Sequence, residues 1–133
     1  MEIKFFMPMK NVPRTTHQQK QVRVVHGKPV FYEPDALKEA RAKLMSHLGP
    51  HSPQDEINAP IRLITKWCFP LSGQHKPGEY KATKPDTDNL QKLLKDCMTD
   101  LNFWRDDALV VSEITEKFWS DIPGIYVSIE VLS

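Results

Sequence analysis

Apolar residues recur at helical spacing in two stretches of this chain and alternate with polar residues in several others. From Asn89 to Leu101, the residues Leu90, Leu93, Leu94, Cys97, Met98 and Leu101 fall three and four apart, which predicts an amphipathic helix. Pro34 to Leu48 repeats the pattern through Leu37, Ala40, Leu44 and Leu48, and Gly49-Pro50 closes it. Alternation marks the strands: Ile3, Phe5 and Met7 at the start, Ile61 to Phe69, and Ile125 to Val131 at the end. Val22 to Val25 and Pro29 to Tyr32 flank His26-Gly27-Lys28 and predict a hairpin in which Gly27 takes positive φ. Ala108 to Trp119 has strand character, and Ile122-Pro123-Gly124 predicts a turn that closes a C-terminal hairpin.

The order strand, hairpin, helix, strand, helix, hairpin predicts an α+β fold, a mixed or antiparallel sheet packed by two main helices. With 133 residues and 40% hydrophobic content, the chain suits one domain over residues 1–133. Trp67 belongs to the expected core, and Trp104 and Trp119 read as packing residues before base-stacking ones. Cys68 and Cys97 lack metal or redox spacing and read as small buried hydrophobes. His47 and His51 stand four apart, but Gly49-Pro50 between them breaks the helix a shared metal would need.

The start of the chain lacks the apolar core of a signal peptide and no apolar run is long enough to span a bilayer, so a cytoplasmic location is expected. A formal net charge of +1 hides a strong segregation: +5 over residues 1–30, −2 over 31–59, +4 over 60–95 and −6 over 96–133. That polarity permits a basic binding face beside an acidic centre. Lys10, Arg14 and Lys20 lie in one polar loop, and Lys76, Lys81 and Lys84 in a second, between Leu71 and the helix that follows. All six are candidate phosphate contacts, and flexible solvated loops are the plainer alternative. P-loop, dinucleotide, nucleophile-elbow and zinc patterns are absent, so no organic cofactor is expected.

The chemistry concentrates at the second helix. Asp86 and Asp88 precede or open it, Lys92 and Asp96 follow Asp88 at four-residue intervals on its polar side, and Asp106-Asp107 come after its end. One Asp is explained by capping the first-turn amides, but two acids one residue apart and a further acid pair are not. Carboxylates in this number suit Mg²⁺ or Mn²⁺ and phosphate chemistry, with Lys92 available to a phosphoryl oxygen. The plainer reading of Lys92 is a surface ion pair with Asp88 or Asp96.

The run Asp86-x-Asp88-Asn89-Leu90-x-Lys92, the helix carrying Asp96, and Phe103-Trp104-x-Asp106-Asp107-Ala108 together resemble the RusA family of Holliday junction resolvases. The resemblance is dense over residues 84–111. It implies a dimeric, Mg²⁺-dependent endodeoxyribonuclease, with Mn²⁺ able to substitute, that cuts four-way DNA junctions, often of phage or prophage type. It further implies Asp86, Asp88 and Asp107 as catalytic acids, Lys92 as catalytic lysine, and Asp106 as a further metal-side acid. A straight helix of about fifteen residues is about 22 Å long, so its two ends cannot share an ion. Either residues 102–107 turn back along the helix, or the second acid pair comes from another subunit of the homodimer. The alternatives to a nuclease are a non-catalytic branched-DNA binding module, or an interaction domain whose acidic C-terminal half recruits a basic partner.

Overall fold

The computed structural model describes residues 1–14, 21–32 and 34–133. In chain order the elements are β1 (Glu2–Pro8), β2 (Gln21–Val25), β3 (Lys28–Tyr32), α1 (Asp35–Leu48), β4 (Ile61–Pro70), α2 (Thr87–Asp100), β5 (Val110–Ser120) and β6 (Gly124–Val131). Strands β1, β6, β4 and β5 form one four-stranded sheet in that order, and β2 pairs with β3 in a separate hairpin. His26 and Gly27 both take positive φ at its tip, the geometry a two-residue turn requires.

The alternation in β4 decides what the sheet buries. Ile61, Leu63, Thr65, Trp67 and Phe69 face the helices and are buried, while Arg62, Ile64, Lys66 and Cys68 occupy the other face. Ile125, Val127 and Ile129 of β6 and Phe5 and Met7 of β1 join the buried layer through the antiparallel register. Leu37, Ala40, Leu44 and Leu48 of α1 and Leu90, Leu93, Leu94, Cys97 and Met98 of α2 close it from above. The two helices on a mixed sheet are the α+β architecture expected. Cys97 is fully buried, but Cys68 is not, because even-numbered residues of β4 point away from the helices.

Two expectations about the strands are corrected. β5 and β6 do not form a hairpin: β4 lies between them, parallel to β5 and antiparallel to β6. The chain from Ser120 to Gly124 must cross two strand spacings, about 9.5 Å, which its four peptide links reach with ease at about 3.5 Å each. Alternation assigns side chains to faces but says nothing about which strand lies beside which. The helix α2 makes the arrangement possible, since parallel neighbours such as β4 and β5 need a crossover of this kind.

The second correction concerns the segment before α2. It is no free loop: Gly78 donates to the Trp119 carbonyl at 2.8 Å, Trp119 to the Glu79 carbonyl at 2.9 Å and Lys81 to the Lys117 carbonyl at 2.9 Å. Residues 78–81 thereby cover the outer edge of β5, satisfying backbone groups that an edge strand would otherwise expose.

Candidate active site

The polar side of α2 meets the chain again through the way the helix ends. Asn102 adopts φ +61°, its amide donates to the Thr99 carbonyl at 3.0 Å, and the Phe103 amide donates to the Met98 carbonyl at 3.0 Å. These are the paired bonds of a Schellman ending, with Asn in the left-handed position that its short side chain tolerates. Phe103 and Met98 are both buried, supplying the apolar contact that accompanies this motif.

The reversed segment is then pinned. Ile57 donates to the Phe103 carbonyl at 2.9 Å and Trp104 Nε1 donates to Thr99 Oγ1 at 2.8 Å, so the fully buried Trp104 is tied to the last turn of α2. Asp106 Oδ1 accepts from the Ala108 amide at 2.9 Å and caps the single 3₁₀ turn Asp107–Leu109 that leads into β5. Of the two routes open from sequence, residues 102–107 turn back along the helix within one chain.

Asp107 consequently stands beside Lys92. Lys92 Nζ lies 3.8 Å from Asp107 Oδ2 and donates to Asp96 Oδ1 at 3.1 Å. The hydrogen bond and charge of Asp96, and then the charge of Asp107, hold the Lys92 ammonium above the usual lysine range. An open cleft of about 350 Å³ adjoins the pair, with Asp96, Asp106, Asp107, Arg41 and Arg105 among its walls.

Asp86 and Asp88 occupy the opposite end of the same polar side. Asp86 is the N-cap residue, yet its side chain makes no capping bond, and its nearest ion-pair partner is Lys84 Nζ at 3.9 Å. Capping therefore does not account for this carboxylate. Asp88 lies in the first turn, one turn before Lys92. Among the described residues, no group of three or more His, Cys, Asp or Glu side chains stands close enough together to hold a metal ion. The donor set fits a hard cation: it is made of carboxylates alone, with Asp86 and Asp88 exposed and Asp86 not engaged in capping.

The candidate phosphate contacts divide. Lys10, Arg14, Lys76 and Lys84 are exposed, and Lys20 lies outside the described residues. Lys81 is only 3% exposed, so it is not the surface loop cation expected. It donates to Thr83 Oγ1 at 2.5 Å and to the Lys84 carbonyl at 2.6 Å. Lys117, which sequence reading passed over, donates to the Thr83 and Pro85 carbonyls at 2.6 and 2.7 Å and props the approach to Asp86. Nothing local marks Lys117; only its register opposite Trp67 turns it toward the helices. The reversal at Asn102, by contrast, had a signal: Asn followed by an apolar residue at a helix end.

Gln91 is a further surprise on α2. It is buried, and its Oε1 accepts from Thr65 Oγ1 at 2.9 Å, while that hydroxyl accepts from Trp67 Nε1 at 3.1 Å. The chain binds the turn of α2 carrying Lys92 to the central strand with a polar link, in addition to the apolar face.

Comparison with known proteins finds similarity along most of the chain. The family model described as "Endodeoxyribonuclease RusA" matches residues 8–130. A protein of Lactococcus phage r1t named "Crossover junction endodeoxyribonuclease rusA" is 32% identical over 113 residues, covering 84% of each chain. The protein YqaN of Bacillus subtilis (strain 168), described as uncharacterized, is 29% identical over 119 residues, covering 81% of this chain and 83% of its own. With nearly its whole length matched, and the lysine and second acid motif of the resemblance meeting on one helix face, the chain belongs to the RusA family of endodeoxyribonucleases.

Proposed function

We propose that this protein is a structure-selective endodeoxyribonuclease that resolves four-way DNA junctions by paired phosphodiester hydrolysis in recombination and repair. The observation that carries the reading is the Lys92–Asp107 approach at 3.8 Å, which joins the two separate motifs of the chain. Asp86, Asp88 and Asp107, with Asp106 next to Asp107 in the chain, are the residues that would hold Mg²⁺ or Mn²⁺. Such an ion, when bound, lowers the pKa of water and neutralises charge on the phosphate.

The chain's own residues have distinct tasks. Lys92 offers a fixed positive charge to the developing negative charge of the phosphoryl oxygens, and Asp96 orients its ammonium through the 3.1 Å hydrogen bond. Asp106 spends one oxygen on the Ala108 amide, which sets the direction of Asp107 rather than leaving both acids equivalent. Lys10, Arg14, Lys20, Lys76 and Lys84 are the proposed contacts to DNA phosphates. Incision leaves a 5′-phosphate and a 3′-hydroxyl, ends that a ligase can join. A two-fold homodimer places one such centre on each of two symmetry-related strands. No helix among the described residues is long and apolar enough to cross a membrane.

The deciding experiment is cleavage of an end-labelled synthetic four-way junction with Mg²⁺ or EDTA, comparing the natural chain with Asp88→Asn. Symmetric, metal-dependent incision lost in the variant while binding persists supports the reading. Binding without incision under several divalent metals would replace it with a branched-DNA binding module.

A further inference from the structure

Three cations gather where the covering segment 78–85 leaves β5 for α2. Lys81 is almost wholly buried, with its ammonium 4.6 Å from the centre of the Trp119 ring and 5.4 Å from that of Phe69. Lys117 reaches the same segment from β5, and Arg14 and Lys117 both add positive charge to the surroundings of Lys81. Burial first, and then these two neighbours, hold the Lys81 ammonium below the usual lysine range. Among the described residues no carboxylate forms an ion pair with Lys81, although Lys4, Lys84, Lys92 and Lys95 each have one.

The same place has a cavity of about 350 Å³, with Asn11, Arg14, Ser72, Lys81, Thr83 and Trp119 among its walls. Trp119 is 7% exposed, and its indole Nε1 is buried without an acceptor. The other two indoles are satisfied, Trp67 by Thr65 and Trp104 by Thr99. Trp119 is also held firmly, stacked on His75 with ring centres 4.3 Å apart. Buried polar groups normally have partners, and buried charges are normally compensated. Here the Trp119 ring, a guanidinium and an ammonium that has hydrogen-bond acceptors but no carboxylate partner among the described residues line one cavity.

We infer that this cavity is a phosphate site, and that in the nuclease proposed above it holds a backbone phosphate of the bound DNA strand, neighbouring the phosphate that is cut. A phosphate supplies the missing negative charge, since its oxygens accept from ammonium and guanidinium and its charge offsets the cluster. Lys81 grips the Lys84 carbonyl and Lys117 the Pro85 carbonyl, immediately before Asp86. A phosphate held there is therefore tied through two cations to the backbone that positions the first catalytic acid. The site sets the register of the strand against Asp86 and is separate from the Lys92–Asp107 pair.

The indole N–H signals of the three tryptophans provide the test. The full-length protein is titrated at constant ionic strength with inorganic phosphate, with a short thymidine oligomer carrying only internal phosphodiesters, and with chloride alone. The Trp119 signal, assigned with Trp119→Phe, is expected to move saturably with phosphate and with the oligomer, while those of Trp67 and Trp104 stay in place. Arg14→Gln, an exposed substitution that leaves the core intact, and Lys81→Met should each weaken the response tenfold or more. Arg14→Gln should also lower the salt slope of junction affinity by about one unit. A response to phosphate but not to the oligomer marks a free-phosphate site and overturns the DNA assignment. No saturable response, or one unchanged in both variants, overturns the site altogether. Absence of junction cleavage with the oligomer response intact would remove the nuclease reading and leave this site standing, so the two failures are distinguishable.

Discussion

Lys92 and Asp107 meet at 3.8 Å across the chain reversal that ends α2, and this contact places the lysine of one motif against the acid of the other. The pair lies at the surface, with the Lys92 side chain 55% exposed, so it adds little to stability. Its value is positional. Lys92→Ala and Asp107→Asn should each reduce junction cleavage by about a hundredfold or more. Their unfolding free energies in urea should stay within about 0.5 kcal/mol of the parent. A variant that cuts at the parental rate would remove its residue from the reaction.

Asp86→Asn separates metal chemistry from folding, because Asn is as good an N-cap residue as Asp and the carboxylate makes no capping bond to lose. Thermal stability should be preserved, junction binding retained and Mg²⁺-dependent incision lost. Isothermal titration with Mg²⁺ in the presence of uncut junction should show weaker ion binding in Asp86→Asn and Asp88→Asn. Full incision by either variant would exclude that acid from the metal site.

The raised Lys92 pKa has a definite sign. Below the ordinary lysine value, about 10.4, the ammonium is charged whether the chain is folded or not, and the attraction of Asp96 and Asp107 is fully present. It is lost as pH rises through the higher folded-state value. Any alkaline fall in cleavage caused by Lys92 should therefore begin above the ordinary lysine range, and Asp96→Asn should move it downward. A pH–rate profile under saturating junction checks this; an identical alkaline limb in the variant would show that Asp96 does not set the charge of Lys92.

Gly124 tests the sheet order. A Cβ there would run into the Met7 carbonyl oxygen and the Phe6 ring, where β6 begins against β1. Gly124→Ala should destabilise by about 1–3 kcal/mol, the usual cost of forcing extra atoms into a packed site. Chemical denaturation measures it. An unchanged midpoint would contradict the close approach of these two strands.

Thr65→Val probes the link between strand and active helix. It removes the hydroxyl that donates to Gln91 and accepts from Trp67, leaving buried polar groups without partners. A loss of about 1–3 kcal/mol is expected, read from the unfolding midpoint. A stability equal to the parent would mean that the network contributes nothing to holding α2 on the sheet.

Much of this molecule is legible in its sequence because the determining interactions are local. The spacing of Leu90, Leu93, Leu94, Cys97 and Met98 sets the buried side of α2 and hence the polar side bearing Lys92 and Asp96, and alternation in β4 sets which residues meet the helices. His26 and Gly27 announce their turn, and the acid and lysine motifs announce the family. What the sequence left open are relations between distant segments. Alternation in β5 and β6 is equally compatible with a hairpin and with β4 lying between them, since facing and adjacency are independent properties of a strand. Lys81 looks like any loop lysine until residues 78–81 dock on β5 and bury it. Asp107 joins Lys92 only because a left-handed Asn102 and a buried Trp104 fold the chain back on its own helix. Local periodicity determined the elements and their faces; the closing of long loops onto those faces, driven by buried contacts far apart in sequence, decided the site.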